Sequence, residues 1–205
     1  MTRIQLFIAL SVCLHACTSD NDPAGTAGTG GGLGSAANSG TLAGSSAGAA
    51  GSGDCTMNIA CVLSPPTSTG DIKQDCVARI NQFRTQCACL PPLQRWREAE
   101  SCADQMAAHD AAANKAHAGF SGRICMPFGN GQNECPGYRS ESSVIGGCLQ
   151  QMWSEGPPPQ STCEGACFQM HGHFINMTNP RFTKVACGFH TTSSDSLWAV
   201  QNFSP

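Results

Sequence analysis

The sequence predicts a small α+β domain built in layers, preceded by an export signal and a structureless tether. Three observations carry that prediction. Helical apolar patterns crowd the first half of the globular region, two strand-like runs close the chain, and twelve cysteines lie between positions 55 and 187.

Residues 1–17 read as a processing signal. Arg3 supplies a positive start, and residues 4–14 form an apolar run well short of the roughly 20 residues that span a bilayer. The run ends in Leu14-His15-Ala16-Cys17, which resembles the lipobox of bacterial lipoproteins. That resemblance implies that Cys17 is lipidated and becomes the first residue of the mature chain, held at a membrane by its acyl groups. The alternative is a plain secreted protein in which Cys17 is an odd thiol or is removed. Residues 18–54 follow, almost wholly Gly, Ser, Ala and Thr after residue 23. Such a segment buries too little apolar surface to offset its ordering entropy and is expected to be a flexible tether.

The globular domain is expected over residues 55–205. Ile72, Cys76, Ile80 and Phe83 recur at helical spacing, so residues 71–86 should form a helix with Asp71 at its N-cap. Pro91-Pro92 forces an extended turn. A second helix is expected over residues 95–113, with Trp96, Ala99, Ala103 and Met106 on one face. Residues 121–139, rich in Gly, Pro and Asn, read as a disulfide-pinned loop. A third helix over 140–154 buries Val144, Cys148, Leu149 and Met152, and Gly156-Pro157-Pro158-Pro159 stops it. Residues 182–189 and 197–203 are strands, separated by a polar turn.

Composition excludes some functions. Charged residues make up 12% of the chain against about 25% in an average domain, and the net charge is −3. That balance argues against a nucleic-acid binder, which would need a basic face. Twelve cysteines behind an export signal read as a disulfide framework, and no pair of Cys-x-x-Cys knuckles supports a zinc ribbon.

The order of these elements and several motifs resemble the CAP superfamily, whose module is called the SCP domain and which holds cysteine-rich secretory, antigen 5 and class 1 pathogenesis-related proteins. Asn81-Gln82-Phe83-Arg84 resembles the family's first-helix Asn-x-x-Arg, and Pro92-Leu93-x-x-Trp96 its Pro-Leu-x-Trp turn. Gly172-His173-Phe174-Ile175-Asn176 through Cys187-Gly188-Phe189 resembles its first signature. Trp198-Ala199-Val200-Gln201-Asn202-Phe203-Ser204-Pro205 resembles its second. The resemblance implies a three-layer α-β-α sandwich.

It also implies a cleft lined by two histidines and two acids. His117 matches the first histidine, His173 the second, and Glu155 in Trp153-Ser154-Glu155 one acid. The other acid belongs to a Gly-Glu-Asn motif, matched best here by Gly131-Gln132-Asn133, so Gln132 replaces a carboxylate with a neutral amide; Glu134 lies two residues on, but a shift to it loses the Gly and the Asn. An amide neither titrates nor binds hard metals strongly. Two imidazoles and a carboxylate could still hold zinc, through His117 and His173 with Glu155, and activate a water. They could equally form a metal-free polar network. Glu155 is the candidate catalytic residue of a hydrolase. The leading expectation is instead a lipid-anchored binding module for a lipid, sterol-like, glycan or peptide ligand, requiring no cofactor. A third reading is an adhesive surface protein with a vestigial cleft. His171 is expected to be a solvated loop residue, and Ser154 lacks the strand–turn–helix elbow of a nucleophile.

Overall fold

The computed structural model describes residues 55–205. The signal, Cys17 and the tether fall outside the described residues. Helix α1 (Ile72–Gln82) begins where expected: the Asp71 carboxylate accepts from the backbone N–H groups of Lys73 and Gln74, at 3.1 and 3.2 Å. It widens into a π-helical turn, Phe83–Cys87, that carries Arg84 inward. The buried Arg84 guanidinium donates to the carbonyls of Pro91, Met177 and Asn179 at 2.8–3.2 Å. Asn81 grips both backbone groups of Leu93, accepting from its N–H at 2.7 Å and donating to its carbonyl at 2.8 Å. The Asn-x-x-Arg motif is therefore a latch that ties the first helix to the Pro-Leu turn and to the end of α5 (Ala166–Thr178).

After the two-residue strand β1 (Gln94–Arg95) comes α2 (Arg97–Ala113), which stops at Asn114 in the left-handed conformation, φ 47°. A short helix α3 (Ala118–Gly122) and strand β2 (Gly131–Tyr138) follow. A second π-helical turn, Ser143–Cys148, runs into α4 (Leu149–Ser154). Strands β3 (Lys184–Thr191) and β4 (Leu197–Ser204) close the chain as expected.

Two stretches differ from the sequence reading. Residues 131–138 are a strand rather than a loop. Their Gly, Asn and Pro content is a poor strand signal, but pairing with β4 satisfies the backbone and the first five residues are buried. The stretch around Gly172 is helical, inside α5, because Phe174 and Met177 bury one helical face against the core.

The sheet order is β1-β3-β4-β2, with β1 parallel to β3 and the other pairs antiparallel. Alternation along β4 feeds two cores. Leu197, Ala199 and Phe203 join Val185, Cys187 and the side chains of α1, α4 and α5; Trp198 and Val200 join Ala186 and the alanine face of α2. The domain is thus a three-layer α-β-α sandwich. Gly188 permits the α2 contact: a Cβ there would lie 2.1 Å from the Ala103 carbonyl carbon. All twelve cysteines of the domain pair, as Cys55–Cys89, Cys61–Cys87, Cys76–Cys187, Cys102–Cys125, Cys135–Cys148 and Cys163–Cys167.

Candidate functional site

Pleating of β2 decides which side chains reach the cleft. Gln132 and Glu134 point to the α2–α3 face and Asn133 to the opposite one, so the strand touches both halves of the site. On one side, His117 precedes α3 in the left-handed conformation, φ 61°, and its Nδ1 lies 2.8 Å from Gln132 Oε1. An amide oxygen only accepts, so His117 Nδ1 is the donor of this bond and Nε2 is turned away from it. The Gln132 amide in turn donates to Asn202 Oδ1 at 3.0 Å and to Met106 Sδ at 3.3 Å.

On the other side, Asn133 Nδ2 donates to the His173 carbonyl at 3.0 Å, and Asn176 Nδ2 donates to Asn133 Oδ1 at 3.0 Å and to the Gln132 carbonyl at 3.1 Å. Glu155, just past α4, receives three hydrogens from α5. One oxygen takes the His173 ring Nδ1–H, and the other takes the backbone N–H groups of His173 and Phe174 at 3.0 and 3.2 Å. His171 is not a solvated loop residue. It lies half-buried in α5, and its Nδ1 donates to the carbonyls of Glu155 and Gly156 at 2.9 and 3.0 Å, fixing the backbone beneath the carboxylate.

The structure therefore brings His117, Gln132, Glu155 and His173 together. The two imidazole rings face each other with centroids 6.4 Å apart. They border a hollow of about 290 Å³ also lined by Phe168, Gln169, Gly172 and Asn176. An adjoining hollow of about 220 Å³ shares His117, Gln132, Phe168 and Asn176 and adds the Phe120 ring. Sequence reasoning assigned no role to Asn133, Asn176, Asn202 or Phe168. Asn176 follows His173 at helical spacing, so recognising α5 as a helix would have put both on one face.

The donor set does not complete a zinc centre of the two-His-one-Glu kind. Both Glu155 oxygens are already engaged, Gln132 Oε1 is taken by His117, and two imidazole Nε2 atoms are left. Among the described residues, no group of three or more His, Cys, Asp or Glu side chains is placed to hold a metal ion.

Comparison with known proteins places the chain in a family. The model of the cysteine-rich secretory protein family, CAP, matches residues 77–203. The chain belongs to that family. The match spans α1 to β4 and includes all four cleft residues. Among solved structures, this CAP chain is similar to venom allergen-like protein 4 of Schistosoma mansoni, at 16% identity and a TM-score of 0.49, over 66% of this chain and 88% of the other. It is also similar to BmVAL-1, at 19% identity and a TM-score of 0.48, over 68% and 79% of the two chains. A third, MpPR-1i, is 17% identical with a TM-score of 0.44 over 63% and 87%. No curated protein matches the chain. A disulfide-rich CAP domain marks an exported protein, and no helix among the described residues is long and apolar enough to cross a membrane.

Proposed function

We propose that this CAP chain is a lipid-anchored, extracytoplasmic binding module that takes a small lipid, sterol-like, glycan or peptide ligand in the cleft between His117 and His173. One observation carries the reading. The hollow is walled by Phe168 and Phe120 and edged by two imidazoles whose Nδ1 atoms are tied down, so it offers fixed polar atoms beside apolar surface. Chemistry is poorly served there. Neither hollow is lined by a Ser, Cys or Lys nucleophile, and Glu155 is committed to α5. The Leu14-to-Cys17 motif and the Gly/Ser/Ala tether support membrane anchoring in the bacterial manner.

Titration of the purified chain with phospholipid vesicles, a sterol, oligosaccharides and short peptides tests the proposal. Saturable binding to one class is expected, weakened about tenfold or more by Phe168→Ala, since truncating an exposed aromatic that a bound ligand covers commonly costs more than about 1 kcal/mol. Absence of saturable binding to every class sinks it. Zinc separates this reading from a metal-assisted hydrolase. Excess zinc should leave the melting temperature of the chain unchanged; a rise of several degrees, with hydrolysis lost in Glu155→Ala, would favour the enzyme.

A further inference from the structure

Two buried carboxyl groups behind the cleft are used by nothing described so far. Asp110 lies in the last turn of α2, fully buried, and Glu134 lies in β2, 3% exposed. One oxygen of each is committed to the turn that carries His117. Glu134 Oε2 accepts from the backbone N–H of His117 at 2.6 Å, and Asp110 Oδ1 accepts from the backbone N–H of Gly119 at 2.6 Å. The remaining oxygens, Glu134 Oε1 and Asp110 Oδ2, are both buried without a donor. Both carboxyl groups hang on the same three-residue turn, 117–119, which sets them beside each other. Two carboxylates cannot share such a site, because neither can donate and their charges repel.

We infer that Asp110 and Glu134 form a carboxylic acid–carboxylate pair joined by one shared proton, and that this pair is the positioning device for His117. Its two outer oxygens hold the 117–119 backbone, and its inner hydrogen bond joins α2 to β2 beneath it. The bracing is needed locally. His117 is a non-glycine residue at φ 61°, a conformation that persists only where neighbours impose it. Gly119 is closely packed too, since a Cβ would meet Ile124 Cδ1 at 3.1 Å, Asp110 Oδ1 at 3.2 Å and Met106 Cα at 3.3 Å. The other titratable groups facing the pair are His109, whose Nδ1 is 3.0 Å from Asp110 Oδ1, and His117, whose Nδ1 is 3.7 Å from Glu134 Oε2. No Lys or Arg among the described residues forms an ion pair with either acid. Burial, reinforced by the Asp110 charge, pushes the Glu134 carboxyl up to about 8, which fits Glu134 as the main holder of the proton at neutral pH.

The inference rests on reading His117 as a cleft residue, but its test needs no ligand, so its failure and that of the binding proposal are separately visible. Infrared spectroscopy of the purified chain near neutral pH should show one protonated-carboxyl carbonyl band. Glu134→Gln and Asp110→Asn should each abolish it, because an amide then supplies the bridging hydrogen. Both should keep the His117 and Gly119 amides as slow to exchange as in the parent. Glu134→Leu should speed exchange at those two amides by about tenfold or more while leaving the His173 amide, held by Glu155, unchanged. Absence of the band in the parent, its survival in either amide variant, or unchanged His117 exchange in a folded Glu134→Leu chain would each overturn the pairing. Should Glu134→Leu fail to fold, the band and the amide variants decide alone.

Discussion

Positions 132 and 134 divide two tasks. Gln132 orients the His117 ring as a neutral acceptor and spends its amide hydrogens on Asn202 and Met106, which a carboxylate could not do. Gln132→Glu is therefore expected to cost about 1–3 kcal/mol, because the buried Asn202 oxygen loses its donor and a charge enters the layer; a lowered urea midpoint checks it. Glu134 makes stability depend on pH in the direction opposite to most paired carboxylates. Its folded carboxyl, pushed up to about 8 chiefly by burial, keeps a proton that the unfolded chain releases near 4.5. The native state thus binds more protons between those values, and stability should fall as pH rises from about 4.5 through 8, then level off. Urea midpoints at pH 5 and pH 8 measure the slope, which Glu134→Gln should flatten; a midpoint that rises with pH would contradict the assignment. The cleft residues His117, Gln132, Glu155 and His173 were legible in the sequence because each sits in a short motif. The pairing of Asp110 with Glu134 was not. In the sequence Glu134 is only an ill-fitting substitute for the missing acid, two residues past Gln132, and Asp110 a lone acid in a helix, until the 117–119 turn draws both carboxyl groups to its backbone N–H groups.

Elements separate along the same line. Helices α1 and α2 and strands β3 and β4 could be read from periodicity, since each buries its own apolar stripe or alternating face. Strand β2 and helix α5 could not. The inward side chains of β2 include Gln132, Asn133 and Glu134, polar groups satisfied by tertiary partners, and α5 carries Gly172 in mid-helix. Both elements build the cleft, and there local propensity yields to the site. The contact of α2 with β3 gives a sharp test. Gly188→Ala would place a methyl 2.1 Å from one backbone carbon and 2.3 Å from the Asp104 nitrogen, where no side chain can move aside. A loss of about 3 kcal/mol or more is expected from overpacking against main chain, seen as a lower melting temperature. Wild-type stability in that variant would mean that α2 does not lie this close.

At the scale of the molecule, five disulfides tie together residues 13 or more apart, while Cys163–Cys167 closes a single turn at the start of α5. Cys76–Cys187, separated by 111 residues, joins α1 to β3 through the core. Replacing both cysteines with alanine should cost about 4–5 kcal/mol by loop-closure entropy, the largest single contribution among the six; calorimetry of the oxidised variant measures it. The same bridge routes mechanical load. A pull between the chain upstream of Cys55 and the C-terminus passes through Cys55–Cys89, runs back along the first helix to Cys76, and crosses to Cys187. Every cleft residue lies in the bypassed segment between positions 89 and 187, shielded from tension by covalent bonds. Stretched in an optical trap, the oxidised chain should therefore stop extending long before its full contour length, and reduction should release the remainder. For a domain loaded through its two ends, the cleft would stay slack while the chain outside it is taut.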